Sequence, residues 1–350
     1  MIDYVRRLSI QGNIGESIPS YSSDPSCARS LFVFGEGDSF DSKHSRWIYK
    51  NMKLIRLLCL EKVNLNSIPN NIEKLIFLRY LRIWSEKVLE IPEFPAAICN
   101  LQFLETIDVK GRVKDRLPKG LLSMKRLRHL NFSGGMSLFP DKNSDTSSIS
   151  NLRVLSYLLV GKSSDLNNLL NFPKVRKLHL RCTNNNYTDK KDSDEVSKVL
   201  ESLRSLKVVD FRKSVPSSIL LPSTLVKITL KNSSLDSTQF GILGKLQKLR
   251  FLKFKGIEFS TSTLICNADD FTNLRVFQMI DLKIKTWELK SSAMPELRRL
   301  VIIDCDELTN LPKGLASLKA LQIVQVSPIS ERFTDVLQEL EFRDSLGEVY

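Results

Sequence analysis

The sequence predicts an α/β solenoid: a curved horseshoe with a ladder of parallel strands on its concave face and irregular or short-helical limbs on its convex side. Three observations carry that expectation. An LxxLxL frame of apolar residues recurs along essentially the whole chain. Each frame is followed by a limb whose apolar residues return at three- or four-residue spacing. A unit of this kind cannot bury its own apolar face, so it is stable only when stacked on copies of itself.

Lys53 to Leu81 shows one unit in full. Ile55, Leu58 and Leu60 form the frame, Val63 and Leu65 follow, and Ile68-Pro69, Ile72 and Leu75 make the return limb. The frame restarts at Leu78, Leu81 and Ile83. First residues of successive frames fall at Val5, Ala28, Ile55, Leu78, Leu104, Leu127, Leu152, Val175, Leu206, Leu225, Leu249, Leu274, Leu297 and Leu321. The intervals run from 19 to 31 residues. Most match the roughly 20 to 29 residues of a leucine-rich repeat.

In chain order, residues 1–27 read as a leading segment with one irregular strand, Val5-Leu8-Ile10, and residues 28–329 as the solenoid. Polar linkers at Glu16 to Ser26 and Gly35 to Ser45 make the first two repeats edge-like. Ile68-Pro69, Ile91-Pro92 and Leu117-Pro118 open return limbs, where proline fits because fewer ladder hydrogen bonds are required. Asp141 to Ser150 reads as a polar loop, and Leu152, Leu155 and Tyr157 resume the frame. Cys182 to Asp192 is a polar insertion, followed by a short helix over Ser193 to Leu206 whose face is Val196, Val199, Leu200 and Leu203. The frame between Leu206 and Leu225 is the least regular. Residues 330–350 read as a capping helix and tail, with Phe333, Val336, Leu337 and Leu340 shielding the last repeat.

Composition narrows the function. No window approaches the ~18 consecutive apolar residues of a membrane span. The opening residues lack the apolar core of a secretory signal. Six scattered cysteines without CxxC spacing fit a reducing compartment, so a cytoplasmic or nucleocytoplasmic location is expected. The three histidines (His44, His129, His179) are not at metal spacing. Gly161-Lys162-Ser163 resembles the end of a GxxxxGK(S/T) loop, but Ser156 stands where its first glycine belongs. No catalytic residue, cofactor site or metal site is expected, and the chain reads as a non-enzyme.

A net charge of +13 remains to be explained. It is spread along the chain rather than gathered in a tail, which disfavours nucleic acid. By strand alternation, residues flanking the middle leucine of each frame point outward on the concave face. Those positions hold Tyr80, Arg82 and Trp84 on one strand, with two aromatics of the kind binding surfaces use. Further on they hold Lys177, His179 and Arg181; Val208, Asp210 and Arg212; Lys227 and Lys231; Phe251, Lys253 and Lys255. The expectation is a basic stripe that docks an acidic protein surface.

IPNNIEKLIFLRYLRI at Ile68 to Ile83 resembles the LPxxIxxLxxLRYLxL signature of plant nucleotide-binding leucine-rich-repeat immune receptors, as do RLPKGLLSMKRLRHLNF at Arg116 to Phe132 and NLPKGLASLKAL at Asn310 to Leu321. VRRLSI at Val5 to Ile10 is similar to the segment by which such receptors pass from the nucleotide-binding module into the repeats. The coiled-coil class of disease-resistance proteins is the best match. That module's P-loop and MHD motif have no counterpart in this sequence. The resemblance therefore implies only the repeat domain's roles: sensing a pathogen effector or a guarded host protein, and holding the nucleotide-binding module of the same or a related receptor inactive. A repeat-only scaffold or substrate adaptor is the alternative.

Overall fold

A computed structural model describes residues 5–12, 14, 24–36, 39–65, 68–91, 94–113, 117–118, 120–137, 151–184, 198, 200–213, 215–220, 222–328 and 333–341. The chain forms two compact units, Met1–Leu159 with Asn171–Val175, and Val160–Leu170 with Arg176–Tyr350.

The first unit is organised by β1 (Arg7–Gln11), β2 (Ser30–Phe34), β3 (Leu57–Glu61), β4 (Tyr80–Ile91), β5 (Thr106–Val113), β6 (His129–Met136) and most of β7 (Val154–Val160). Each pairs parallel with the next in chain order. Register is set by the frame: Leu58, Leu81, Ile107 and Leu130 stand opposite one another, and all are buried. Burying each such side chain contributes about 1.5–3 kcal/mol. Since a one-residue slip would turn this whole apolar column to water, register is strongly specified.

Two limbs of the first unit are short and open with proline. Pro69 precedes a 3-10 turn over Asn70–Lys74, and Pro95 precedes another over Ala96–Asn100. Their φ angles, −65° and −64°, are those the pyrrolidine ring imposes. The Gly35 to Ser45 linker is a correction. Its end opens a ten-residue helix, α1 (Ser42–Asn51). Asp41 caps it by accepting from the Lys43 and His44 backbone N–H groups, and Ile48 and Tyr49 are buried.

The frame also slips at β7. Tyr157 does not keep the inward position; its φ is +62° and Leu158 is buried instead, opposite Met136. The slip follows a bulge in β6 at Gly135, whose φ of +96° suits glycine and where an added Cβ would strike Leu159.

The second unit continues the pattern with β8 (Lys177–Cys182), β9 (Ser205–Val209), β10 (Lys227–Leu235), β11 (Phe251–Phe259), β12 (Thr263–Cys266), β13 (Val276–Ile280), β14 (Thr286–Leu289), β15 (Arg299–Ile303) and β16 (Ile323–Ser327). β12 and β14 pair with each other on the return-limb side. The other seven form a parallel ladder in chain order. After the Gly120–Ser123 turn (α2) of the first unit, the second adds α3 (Ser237–Gly244) and α4 (Thr334–Glu341). Behind its ladder sits an aromatic cluster in which Phe240, Phe254, Phe271, Phe277 and Trp287 meet at centroid distances of 5.3–6.2 Å. Phe333, just before α4, and Val336 within it are buried.

One frame moves. Leu206 is a middle residue rather than a first one: it stands opposite Leu178 and Ile228, and Leu203 opens the repeat. Both registers satisfy LxxLxL, since Val209 and Phe211 are also buried, so only strand pairing separates them. The polar insertion, save Cys182 to Asn184, and most of the Ser193 to Leu206 helix lie outside the described residues; Leu200–Ser202 is a 3-10 turn. The Asp141 to Ser150 loop, most of the Glu16 to Ser26 linker and the tail after Glu341 lie outside them too.

Candidate functional site

The outward residues of the two ladders differ in chemistry. In the first unit, the face between β2 and β5 is aromatic and electrically settled. Phe32 and Phe34 stack at 6.4 Å with planes 5° apart. Tyr80 and Trp84, expected to be exposed, are half-buried. Arg82 lies with its guanidinium carbon 3.7 Å from the Trp84 ring centroid, while its Nε is 3.3 Å from Glu61 and 3.9 Å from Asp108. Asp108 also accepts from Asn131 Nδ2 at 2.6 Å. The register Glu61↔Trp84 and Arg82↔Asp108 brings these groups together from adjacent strands. Burial beside Asp108 pushes the Tyr80 phenol up.

The second unit carries the charge. With the corrected frame, the outward positions of β8 to β11 hold Lys177, Arg181, Lys207, Lys227, Lys231, Lys253 and Lys255. Two expected contributors drop out. Arg212 lies three residues past the end of β9, because Val208 rather than Val209 fills the inward slot. His179 is outward-facing but adds no charge at neutral pH. Burial, then Lys207, Lys177 and Lys227, hold its pKa down to about 4.

The carboxylate of Asp210 answers this stripe at Arg181. Asp210, in a left-handed turn at φ +64°, accepts from Arg181 Nε at 2.9 Å and from Asn232 Nδ2 at 3.2 Å. Lys227 sits 4.4 Å from the centroid of Phe251, so cation and aromatic share one spot. Lys253 and Lys255 flank the buried Phe254 on β11.

A further column escaped the reading of outward positions. The residue just before each strand carries arginine in most repeats: Arg6, Arg29, Arg56, Arg79, Arg128 and Arg153 in the first unit, and Arg176, Arg204, Arg250, Arg275 and Arg298 in the second. All are exposed. Their backbones form the first rungs of the ladder, as where Arg29 O accepts from Arg56 N at 2.7 Å and Leu57 N at 3.1 Å. The signal was in the sequence as a recurring LRxL.

Chemistry elsewhere is sparse. Among the described residues no group of three His, Cys, Asp or Glu side chains is placed to hold a metal, and no helix is long and apolar enough to cross a membrane. The amides of Gly161 and Lys162 donate to Asp165 Oδ2 at 2.8 and 3.1 Å, so this turn cradles its own carboxylate. Burial raises the thiols of Cys59 and Cys266 to about 12, which makes them poor nucleophiles.

The family pattern described as "Leucine-rich repeat region" matches residues 27–225, more than half of the chain. The chain belongs to the leucine-rich-repeat family. It is related to plant disease-resistance proteins: 24% identical over 83% of its length to disease resistance protein RPP8 of Arabidopsis thaliana, and 28% identical over 81% of its length to a putative late blight resistance protein homolog of Solanum demissum. It spans 35% of the first relative and 22% of the second. Among solved structures it resembles the plant peptide hormone receptor RGFR1 in complex with RGF2, with a TM-score of 0.51 and 15% identity over 86% of this chain and 51% of that one. An internalin from Listeria monocytogenes gives a TM-score of 0.51 and 17% identity over 85% of this chain and 82% of that one. Those two likenesses bear on the fold alone.

Proposed function

We propose that this chain is the recognition and regulatory part of a plant immune receptor, acting in the cytoplasm. In this reading the ladder face of the second unit docks an acidic surface of a pathogen effector or a guarded host protein. The repeats also hold the nucleotide-binding module of the same or a related receptor inactive. The observation that carries the reading is a run of seven outward cations on four adjacent strands, of which Arg181 is held by the carboxylate of Asp210, in a chain related to disease-resistance proteins. Like charges this dense repel one another and are costly without a partner, so an acidic counterpart is the natural complement. The edge arginines widen the same positive field, and arginine forks suit carboxylates.

Co-immunoprecipitation from plant tissue, against the nucleotide-binding module of a related receptor and against candidate effectors, tests this. The pair Lys227→Glu with Lys253→Glu is expected to abolish capture while far-UV circular dichroism stays unchanged. Unchanged capture would reject the basic face as the docking surface.

A further inference from the structure

Within that face, three adjacent strands place short polar side chains inside a ring of long cationic ones. Register sets Lys177 opposite Ser205 and Ser205 opposite Lys227. The next row on the same face holds His179, Lys207 and Thr229. Neighbouring strands lie about 4.8 Å apart, so Lys177 and Lys227 stand about 10 Å apart across Ser205. The Lys177 ammonium can reach over the serine on its flexible stem, and Lys227, whose Nζ rests 4.4 Å from the Phe251 centroid, can swing towards it by leaving that ring. Arg204 precedes Ser205 in the chain and is exposed. Asp210, the carboxylate closest along β9, is already engaged by Arg181.

We propose that this lysine-ringed dip is a phosphoryl subsite, which takes the phosphomonoester of a phosphorylated side chain on a partner polypeptide. It rests on reading this face as the recognition surface and adds the chemistry of the group recognised. A phosphomonoester carries about −1.5 to −2 charge and three acceptor oxygens. Lysine ammoniums act as point charges that approach a tetrahedral group from separate directions, whereas a planar carboxylate is better served by an arginine fork. The Ser205 and Thr229 hydroxyls add neutral donors at the floor. Phe251, on the strand beyond Lys227, offers apolar contact to residues flanking the phosphorylated one. The diesters of a nucleic-acid backbone carry one charge each, whereas the phosphomonoester concentrates up to about two on one group. Burial first, then Lys207, Lys177 and Lys227, lower the His179 pKa, so all three lysines act on this row of the face.

The same imidazole supplies the readout. With only three histidines in the chain, His179 can be followed by NMR titration of the whole protein. The probes are a short phosphothreonine peptide, its unphosphorylated and glutamate counterparts, inorganic phosphate, and a single-stranded oligonucleotide, all at one ionic strength. The phosphopeptide is expected to raise the His179 pKa by about 1 to 3. It should bind about tenfold more tightly than the glutamate peptide. Inorganic phosphate should compete with it. Lys177→Gln with Lys227→Gln, and separately Ser205→Leu, should remove both effects without changing circular dichroism. An oligonucleotide that matches the phosphopeptide, or a His179 pKa that stays near 4 with every probe, would overturn the subsite. If capture remains sensitive to Lys253→Glu with Lys255→Glu in that case, the wider recognition surface stands and only the phosphoryl subsite falls. Loss of both overturns both.

Discussion

The two ladders share a scaffold and differ in what they leave unsatisfied. On the first, Arg82 is held between Glu61 and Asp108 and roofs Trp84, so charge and aromatic surface are largely answered within the protein. On the second, Lys177, Lys253 and Lys255 have no carboxylate within ion-pair distance among the described residues, and Lys227 leans on Phe251. Inward positions obey one rule in both units because stacking repeats must bury a continuous core. Outward positions are released from that rule. Their chemistry is therefore free to differ between the two ladders.

The largest expected effect tests what the units have in common. Phe132→Ala in the first and Phe254→Ala in the second each remove a fully buried ring. Each should cost about 3–5 kcal/mol, measured by urea unfolding. A cost confined to one unit would break the claim of a shared core rule. Next comes the outward contrast. Arg82→Ala leaves two carboxylates facing each other and uncovers Trp84, for a loss of about 1–2 kcal/mol after allowing for its partial exposure. Lys253→Ala should change stability by no more than about 0.5 kcal/mol. Equal costs would erase the distinction between a self-satisfied face and an open one.

Acid sharpens the comparison. His179 has a folded pKa of about 4 against a reference of 6.5, so its neutral form is the one the fold favours. Its contribution is complete above pH 6.5 and is lost as pH falls from 6.5 towards 4. The wild type should lose stability over that window relative to His179→Gln. Taking the difference between the two proteins cancels the carboxylates that titrate in common. A constant difference across the window would contradict the depressed pKa that burial, then Lys207, Lys177 and Lys227, give His179. A backbone effect is expected at Gly256, where φ is +59° and an added Cβ would lie 2.9 Å from Asn232 Oδ1. Gly256→Ala should cost about 1 kcal/mol by thermal melting.

Much of this architecture was legible in the sequence, for a reason the register makes plain. Apart from Leu206, the predicted frames start where the strand pairing needs them, because a one-residue slip would expose a whole apolar column. The failure at Leu206 arose where Val209 and Phe211 let a second register bury equally apolar residues. Misframing moved the outward set from Ser205, Lys207 and Val209 to Val208, Asp210 and Arg212, and so hid the dip around Ser205. The α1 helix was missed although Asp41, Ile48, Tyr49 and Met52 spell a cap and a buried face. Those few apolar residues sit among polar ones that also suit a linker. The Tyr157 slip depends on the bulge at Gly135, a backbone event that side-chain periodicity does not record. The state of His179 depends on its burial and then on lysines from three strands, so no local pattern contains it.

Quantitative partner capture with matched variants on the two faces decides where recognition resides. Lys227→Glu with Lys253→Glu in the second unit is set beside Arg82→Ala in the first, with far-UV circular dichroism as the control for folding. The lysine pair is expected to abolish capture of an acidic partner, while Arg82→Ala leaves most of it intact. Capture that survives the charge reversal but fails with Arg82→Ala would contradict this and place recognition on the aromatic face of the first unit.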